Sequence, residues 1–333
     1  MRFRARIICP VVGVLALVGT TVVGPVLAQP DRFDATAAKE FRDLDRVDGR
    51  ITIPDEKAAV LEQPQGRDYR AFRESALPWI GGIAILGMLL ALAIFYFRRG
   101  RIMLLPDEES GREILRFNAL ERFTHWMTAT CFIILAITGL NYIFGKRLLM
   151  PLIGPDAFAT WSQWAKYAHN FVPAPFMLGV LVMLLVWLRD NLPDRHDMAW
   201  LRAGGGFFGG AHPTAARFNA GQKLIFWSVV VGGVVLSVTG LMMLFPFSVV
   251  DVNGMQLAQY VHATVGAILI AIMIGHIYIG SLGMEGAYNA MSSGEVDLNW
   301  ARRHHRAWVE KLHRKANDRP SPVASNRARV AAE

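Results

Sequence analysis

Four histidines carry the chemistry this sequence offers. His262 and His276 lie fourteen positions apart in an apolar stretch, YVHATVGAILIAIMIGHIYIGSL, running from Tyr260 to Leu282. At about 100° per residue, fourteen steps fall about 40° short of a whole number of turns, so both rings leave the same side of a helix. At about 1.5 Å of rise per residue they stand about 21 Å apart along its axis. The stretch is long enough to cross a bilayer, since about 20 apolar residues span the hydrocarbon. One imidazole therefore lies near each membrane surface. That is the geometry for two stacked cofactors, one per leaflet, each taking one ligand from this helix.

The second ligand of each tier comes from His125 and His169. Of the nine histidines, His196, His212, His304, His305 and His313 fall in loops or in the basic C-terminal segment, and only the other four fall at membrane depth. The topology below puts His125 and His276 near the cytoplasmic face, and His169 and His262 near the outer face. Imidazole in hydrocarbon is costly without a partner, so functional use is the default there. Two imidazoles on one haem iron give a six-coordinate centre suited to electron transfer. The remaining ring nitrogens need acceptors; backbone carbonyls or Thr264 are at hand on the last helix. The plainer alternative is four interfacial histidines bonded between helices. Zinc is disfavoured, because no site gathers four ligands. A proton pathway is disfavoured too, with no Asp or Glu at mid-membrane. Gly266, Gly275 and Gly280 flank the ligands and suit a flat macrocycle, although small residues serve helix–helix contact equally well.

Composition sets the frame for these residues. The chain has 333 residues, is 53% hydrophobic and carries a formal charge of +8. That apolar fraction fits several membrane helices, and in such a protein the cations mark cytoplasmic loops before they mark nucleic acid. No nucleic-acid motif is present. The two cysteines, Cys9 and Cys131, cannot hold an iron–sulfur cluster alone, and the absence of Cys-x-x-Cys-His excludes covalent c-type haem.

Along the chain, residues 1–28 read as a signal peptide: a start with Arg2, Arg4 and Arg6, an apolar run, then Val26-Leu27-Ala28 before Gln29. An uncleaved membrane helix is the alternative. Residues 29–77 form a polar periplasmic extension with a short helix near Ala35–Leu44. The first mature span, Trp79 to Phe97 within a 78–98 anchor segment, is closed by Arg98, Arg99 and Arg101. Those arginines place its end in the cytoplasm and the mature N-terminus in the periplasm. The polar connector 102–123 includes an amphipathic piece, Ile114 to Phe123. Spans follow at about Thr124–Phe144, Trp161–Leu188 with a kink at Pro173 and Pro175, Leu224–Phe247, and the Tyr260–Leu282 stretch. Residues 115–285 make a four-helix domain, and 286–333 a basic cytoplasmic tail. The expected fold is an all-α integral membrane protein, a five-helix bundle after signal removal, binding two b-type haems.

The segments ERFTHWMTATCFIILAITGL, NLPDRHDMAWL, FNAGQKLIFW and VHATVGAILIAIMIGH followed by ARRHHRAW resemble the cytochrome b (gamma) subunit of respiratory formate dehydrogenase, from about Leu115 to Leu312. The first 112 residues match only a longer variant. The resemblance implies two haems b, one held by His125 and His276 and one by His169 and His262. It also implies a menaquinone or ubiquinone site around Asn219, Ala220, Gly221 and His276, with Gln222 at the mouth of the helix. Asn219 is equally a helix N-cap. An iron–sulfur beta subunit and a molybdenum or tungsten alpha subunit would be the partners, in a bacterial inner membrane with its lipid. Formate chemistry would belong to the alpha subunit; this chain would move electrons to quinone and anchor the complex. The alternatives are the cytochrome b subunit of a nickel–iron hydrogenase or another molybdenum oxidoreductase, and, in a different class, a haem-free anchor or a transporter.

Overall fold

The computed structural model describes residues 64–103, 109–206, 213–246 and 248–317. The expected signal, the Ala35–Leu44 helix, part of the glycine-rich loop and the last sixteen residues lie outside them. The chain forms two units, which divide between Ser75 and Ala76. In the first unit, Pro64–Ala71 is a helix.

Among its described residues the second unit is helical apart from one two-stranded ribbon and the loops between elements. Its spans are α1 (Leu77–Arg99), α2 (Ala119–Leu140), the pair α3 (Pro155–Phe171) and α4 (Pro173–Trp187), α5 (Ala220–Leu244) and α6 (Val252–Tyr278). Among the described residues, five helical segments are long and apolar enough to cross a membrane, and the chain is a membrane protein. Leu86, Leu90 and Phe97 of α1 and Leu185 of α4 point outward, as lipid-facing side chains do.

Local chemistry fixes the helix ends. Asn118 caps α2 and Asn219 caps α5, each in a reciprocal box with the residue three along. The Asn118 side chain accepts from the Glu121 amide at 3.0 Å while Glu121 Oε2 accepts from the Asn118 amide at 2.8 Å. Asn219 and Gln222 repeat this at 2.9 and 3.1 Å. The first box starts α2 at Ala119, five residues before the expected Thr124. Asp251 caps α6 by accepting from the Gly254 amide at 2.8 Å, so α6 begins at Val252 and not near Tyr260. The kink expected in the third span falls at Val172, because Pro173 has no N–H to continue α3.

Small residues let the spans approach. A Cβ on Gly179 of α4 would collide with Thr128 Oγ1 of α2, and one on Gly233 of α5 would stand 3.1 Å from Val180 of α4. Gly232 of α5 meets Leu269 of α6 in the same way. On the other side of α6, Gly275 faces Met88 of α1, and Ala267 meets the Gly81 region of α1.

The densest packing lies at one end. There β1 (Glu113–Leu115) pairs antiparallel with β2 (Glu295–Asp297), followed by α7 (Leu298–His304) and α8 (Arg306–Asn317). Phe117, Trp187, Phe218, Phe226, Val296, Trp300, Trp308 and Val309 form one buried cluster. Indole N–H groups pin it: Trp126 donates to the Met291 carbonyl at 2.9 Å, and Trp300 to that of Glu285 at 2.8 Å. Residues 287–317, read from sequence as part of a tail, thus close the bundle at this ribbon end.

Buried cations sit in the same layer. Arg116 lies over the rings of Phe117, Trp300 and Trp308. Burial, then the neighbouring Arg217, bring its pKa down to about 9. Arg217 and Arg116 each donate to the other's backbone carbonyl at 2.8 Å. Lys223 is held by Asp194 at 2.9 Å and Asp197 at 2.8 Å. His305, 1% exposed, donates its Nδ1–H to the Ala216 carbonyl at 2.8 Å. Burial, then the charge of Arg116, hold His305 well below its ordinary 6.5, against the smaller opposing pull of that carbonyl. A ring with a depressed folded pKa takes its proton later than the unfolded chain does. Stability should therefore be full above about pH 6.5 and fall below it, by up to about 1.4 kcal/mol per pH unit. Chemical unfolding of the solubilised chain at pH 7.5 and 5.5 should show this loss, and His305→Gln should flatten it. Equal losses in both proteins would rule the ring out.

Candidate functional site

The helices bring the four membrane histidines together in two pairs. His125, in the second turn of α2, meets His276 near the end of α6, with ring centroids 6.1 Å apart and planes at 64°. His169, in the last turn of α3, meets His262 of α6, again at 6.1 Å and at 69°. These are the pairings expected from depth. Each pair takes one ring from α6, and the 3.6-residue repeat turns both of its histidines to the same neighbours.

The separation is informative. A metal–imidazole bond is roughly 2 Å and the ligating nitrogen stands roughly 1 Å from the ring centre, so two rings sharing one metal from opposite sides lie about 6 Å apart. Direct hydrogen bonding between the rings would bring them closer. Among the described residues no group of three or more His, Cys, Asp or Glu gathers. Each site therefore offers two imidazoles at the separation of a shared metal, the set that suits a group bringing its own equatorial donors, as a porphyrin does.

At the His169/His262 tier the second ring nitrogens are engaged. Thr138 Oγ1 lies 2.8 Å from His169 Nδ1, and Thr239 Oγ1 lies 2.9 Å from His262 Nδ1. Each hydroxyl has one proton and donates it backwards along its own helix, Thr138 to the Ile134 carbonyl at 2.8 Å and Thr239 to that of Val235 at 2.7 Å. With those protons so committed the hydroxyl oxygens accept, and the Leu135 and Leu236 carbonyls accept from the same rings; this assignment puts the imidazole proton on Nδ1 and leaves Nε2 with its lone pair to ligate. The partners of His262 are thus the Thr239 hydroxyl and the Leu236 carbonyl, both on α5: a backbone carbonyl serves, as expected, and the hydroxyl is Thr239 and not Thr264. The residue after each threonine is glycine. A Cβ on Gly139 would stand 3.4 Å from His169 Cε1, and one on Gly240 3.3 Å from His262 Cε1. Leu-Ala-Ile-Thr-Gly-Leu at 135–140 and Leu-Ser-Val-Thr-Gly-Leu at 236–241 repeat one device. This Leu-x-x-Thr-Gly-Leu pattern was the available signal for it.

The His125/His276 tier lacks that support. The His125 Nδ1 is buried with no hydrogen bond, as is Arg122 Nε one turn earlier. The Arg122 guanidinium instead donates from Nη1 to the Ser292 carbonyl at 2.7 Å. Trp126 stacks edge-on against His125 at 5.2 Å.

The other candidate residues have different surroundings. Asn219 and Gln222 spend their side chains on the capping box, Ala220 is buried, and Gly221 lies under Trp200, whose ring would be 2.7 Å from an added Cβ. Of the glycines expected to cradle a ring system, Gly275 packs on Met88 of α1 and Gly280 faces open space, while Gly266 touches only Leu236.

Comparison with known proteins gives a consistent picture. A family model described as prokaryotic cytochrome b561 matches residues 116–294. The formate dehydrogenase cytochrome b556(fdo) subunit of Escherichia coli K12 is 29% identical over 205 residues, covering 60% of this chain and 94% of the relative. The nitrate-inducible cytochrome b556(Fdn) subunit of the same strain is 28% identical over 210 residues, at 61% and 94%. The formate dehydrogenase cytochrome b556 subunit of Haemophilus influenzae is 25% identical over 204 residues, at 60% and 83%. The matched length contains all four histidines and both Thr-Gly pairs, and α1 lies before it.

Proposed function

The chain belongs to the prokaryotic cytochrome b561 family, and from that premise we propose that it is the di-haem membrane subunit of a formate dehydrogenase. In this reading it carries electrons from a periplasmic iron–sulfur subunit to quinone near the cytoplasmic face, and anchors the complex in the inner membrane. The observation that carries the reading is the twofold occurrence of two imidazoles at 6.1 Å, one pair at His276 near the end of α6 and the other fourteen residues earlier at His262.

Haem b, when bound, supplies a one-electron centre at each pair. The protein's own residues supply the rest. His125 and His276 hold one group, and His169 and His262 the other. Thr138 and Thr239 fix the tautomer of the second pair and aim Nε2 inward. Gly139 and Gly240 leave room for the rings to turn edge-on to their helices. The spans around both tiers are apolar, and a haem held by two imidazoles would suit electron transfer and not oxygen chemistry. In the assembled complex the His169/His262 tier faces the iron–sulfur subunit and the molybdenum or tungsten subunit behind it. The 29% and 28% identity to named formate dehydrogenase subunits supports that choice of partners. A pyridine haemochrome assay on the purified chain should give about two b-type haems per chain; a haem-free chain that still binds its partners would make it a plain anchor.

The quinone, menaquinone or ubiquinone, would bind beside the His125/His276 tier around Asn219, Ala220, Gly221, Gln222 and His276. Asn219 has a structural duty as well, since losing an N-cap costs about 1 kcal/mol. The two roles separate by substitution. Asn219→Ser keeps a cap and loses the amide, whereas Asn219→Ala loses both. Quinone reduction and inhibitor binding should fall in both variants. A fall in the alanine variant alone assigns Asn219 to the cap, and a fall in neither moves the pocket elsewhere.

A further inference from the structure

The two tiers have the same ring spacing and different supports. At His169/His262 both rings rest on hydroxyl oxygens whose own protons are committed to the Ile134 and Val235 carbonyls, with the Leu135 and Leu236 carbonyls bonded to the same rings. At His125/His276 no such acceptor is present among the described residues. Nδ1 of His125 is buried and unbonded, and a buried guanidinium nitrogen of Arg122 stands one turn before it.

An imidazole whose N–H leans on an acceptor is the more basic ligand. A stronger donor stabilises ferric iron over ferrous iron and lowers the reduction potential, and hydrogen bonding around the ligands is one of the levers a protein has on a haem. A nearby positive charge acts in the opposite direction, since it opposes the extra charge on ferric iron and so raises the potential. Lys166 likewise precedes His169 by three residues but is exposed and screened by solvent, so the hydrogen bonds carry the difference between the tiers.

We propose that Thr138 and Thr239 are positioning residues that set the potential of the His169/His262 haem below that of the His125/His276 haem. An electron delivered at the first tier then moves downhill to the second, one electron per transfer and with no bond made or broken. The inference rests on the reading that each pair holds a haem. It adds what gives the wire its direction: two hydroxyls, one on α2 and one on α5, acting through the imidazoles they hold.

The test is an optical redox titration of the full chain in detergent or native membrane. Wild type should show two one-electron steps, and His262→Ala should delete the lower one. Thr138→Val and Thr239→Val, near-isosteric and without an acceptor, should each raise the lower step and leave the upper one in place. The double variant should change the ferric-to-ferrous ratio of that haem about tenfold at fixed potential, a shift of about 59 mV for a one-electron couple. Thr→Ser at either position should restore the wild-type value. Unmoved steps in the valine variants, with two haems still present, overturn the proposal and leave the di-haem reading standing. Deletion of the upper step by His262→Ala overturns it without any threonine variant, even if the valine proteins lose their haem. A wild-type chain with a single step, or without low-spin bis-imidazole haem, removes the underlying reading instead.

Discussion

Replacing His262 with alanine is expected to take the chain from about two haems b to about one, leaving the His125/His276 centre in place. The argument is geometric. His262 is one half of a pair whose partner ring, His169, sits on another helix 6.1 Å away. Alanine leaves a lone imidazole at that site, and a six-coordinate bis-imidazole iron cannot form there. The other tier is about 21 Å along α6 by helical rise, with its own pair also at 6.1 Å, so it has no direct dependence on the lost ring. In a complex with its partner subunits the variant should no longer pass electrons from formate to the remaining haem. Quinol added from the other side should still reduce that haem. His276→Ala should give the mirror image. Retention of both haems in the His262 variant would mean that the ring spacing has been misread as a ligand pair.

The second large effect lies at the ribbon end. Glu121 is 4% exposed, and its carboxylate serves three donors: the Trp187 indole at 2.8 Å, Arg217 at 2.7 Å and the Asn118 amide at 2.8 Å. Glu121→Ala leaves a buried indole N–H unpaired and removes a counter-ion of Arg217. Breaking a buried ion pair from one side costs about 3–5 kcal/mol, a large part of a typical domain's stability. The expected result is a sharp drop in folded chain recovered from membranes and an early unfolding transition in denaturant. Arg217 keeps Asp190, at 2.8 Å, so removing the arginine too should be less harmful than the sum of the two changes. Glu121→Gln keeps an acceptor and should fall between. A wild-type unfolding curve for the alanine variant would show that this triad contributes nothing net.

The pairing of the four histidines was legible in the sequence for a definite reason. A fourteen-residue spacing on an apolar helix is rigid information, because the helical repeat converts it directly into a common face and a fixed rise. Depth then leaves few ways to match His125 and His169. What the spacing could not show was anything that depends on which neighbouring helix lies alongside. Thr264 sits closer to His262 in sequence, but the hydroxyl that reaches its ring is Thr239, on α5. Gly275 borders a ligand yet faces α1, because the face turned to Met88 is not the face that carries His276. The helix starts were readable in principle. Asn118 and Glu121 spell a capping box, as do Asn219 and Gln222, and the box overrides the weak hydropathy that placed the start of α2 five residues late. The packing of residues 287–317 was hidden because Trp300, Ala301, Trp308 and Val309 are scattered among arginines and histidines, and their helices break at His305. Their apolar faces become one surface only after that break.

That closed end bears on how the protein can be divided. The spans, taken alone, invite a truncation just after the last of them, near Gly286. Such a cut would strip β2, α7 and α8 from Phe117, Trp187, Phe218 and Phe226 and present those rings to water as a contiguous sticky patch. It would also leave Trp126 and Arg122 without the Met291 and Ser292 carbonyls they hold. A shortened protein of this kind should clump on extraction and fall to proteases, whatever its transmembrane part is able to bind. The smallest severable piece therefore ends no earlier than Val309, the last residue of that cluster.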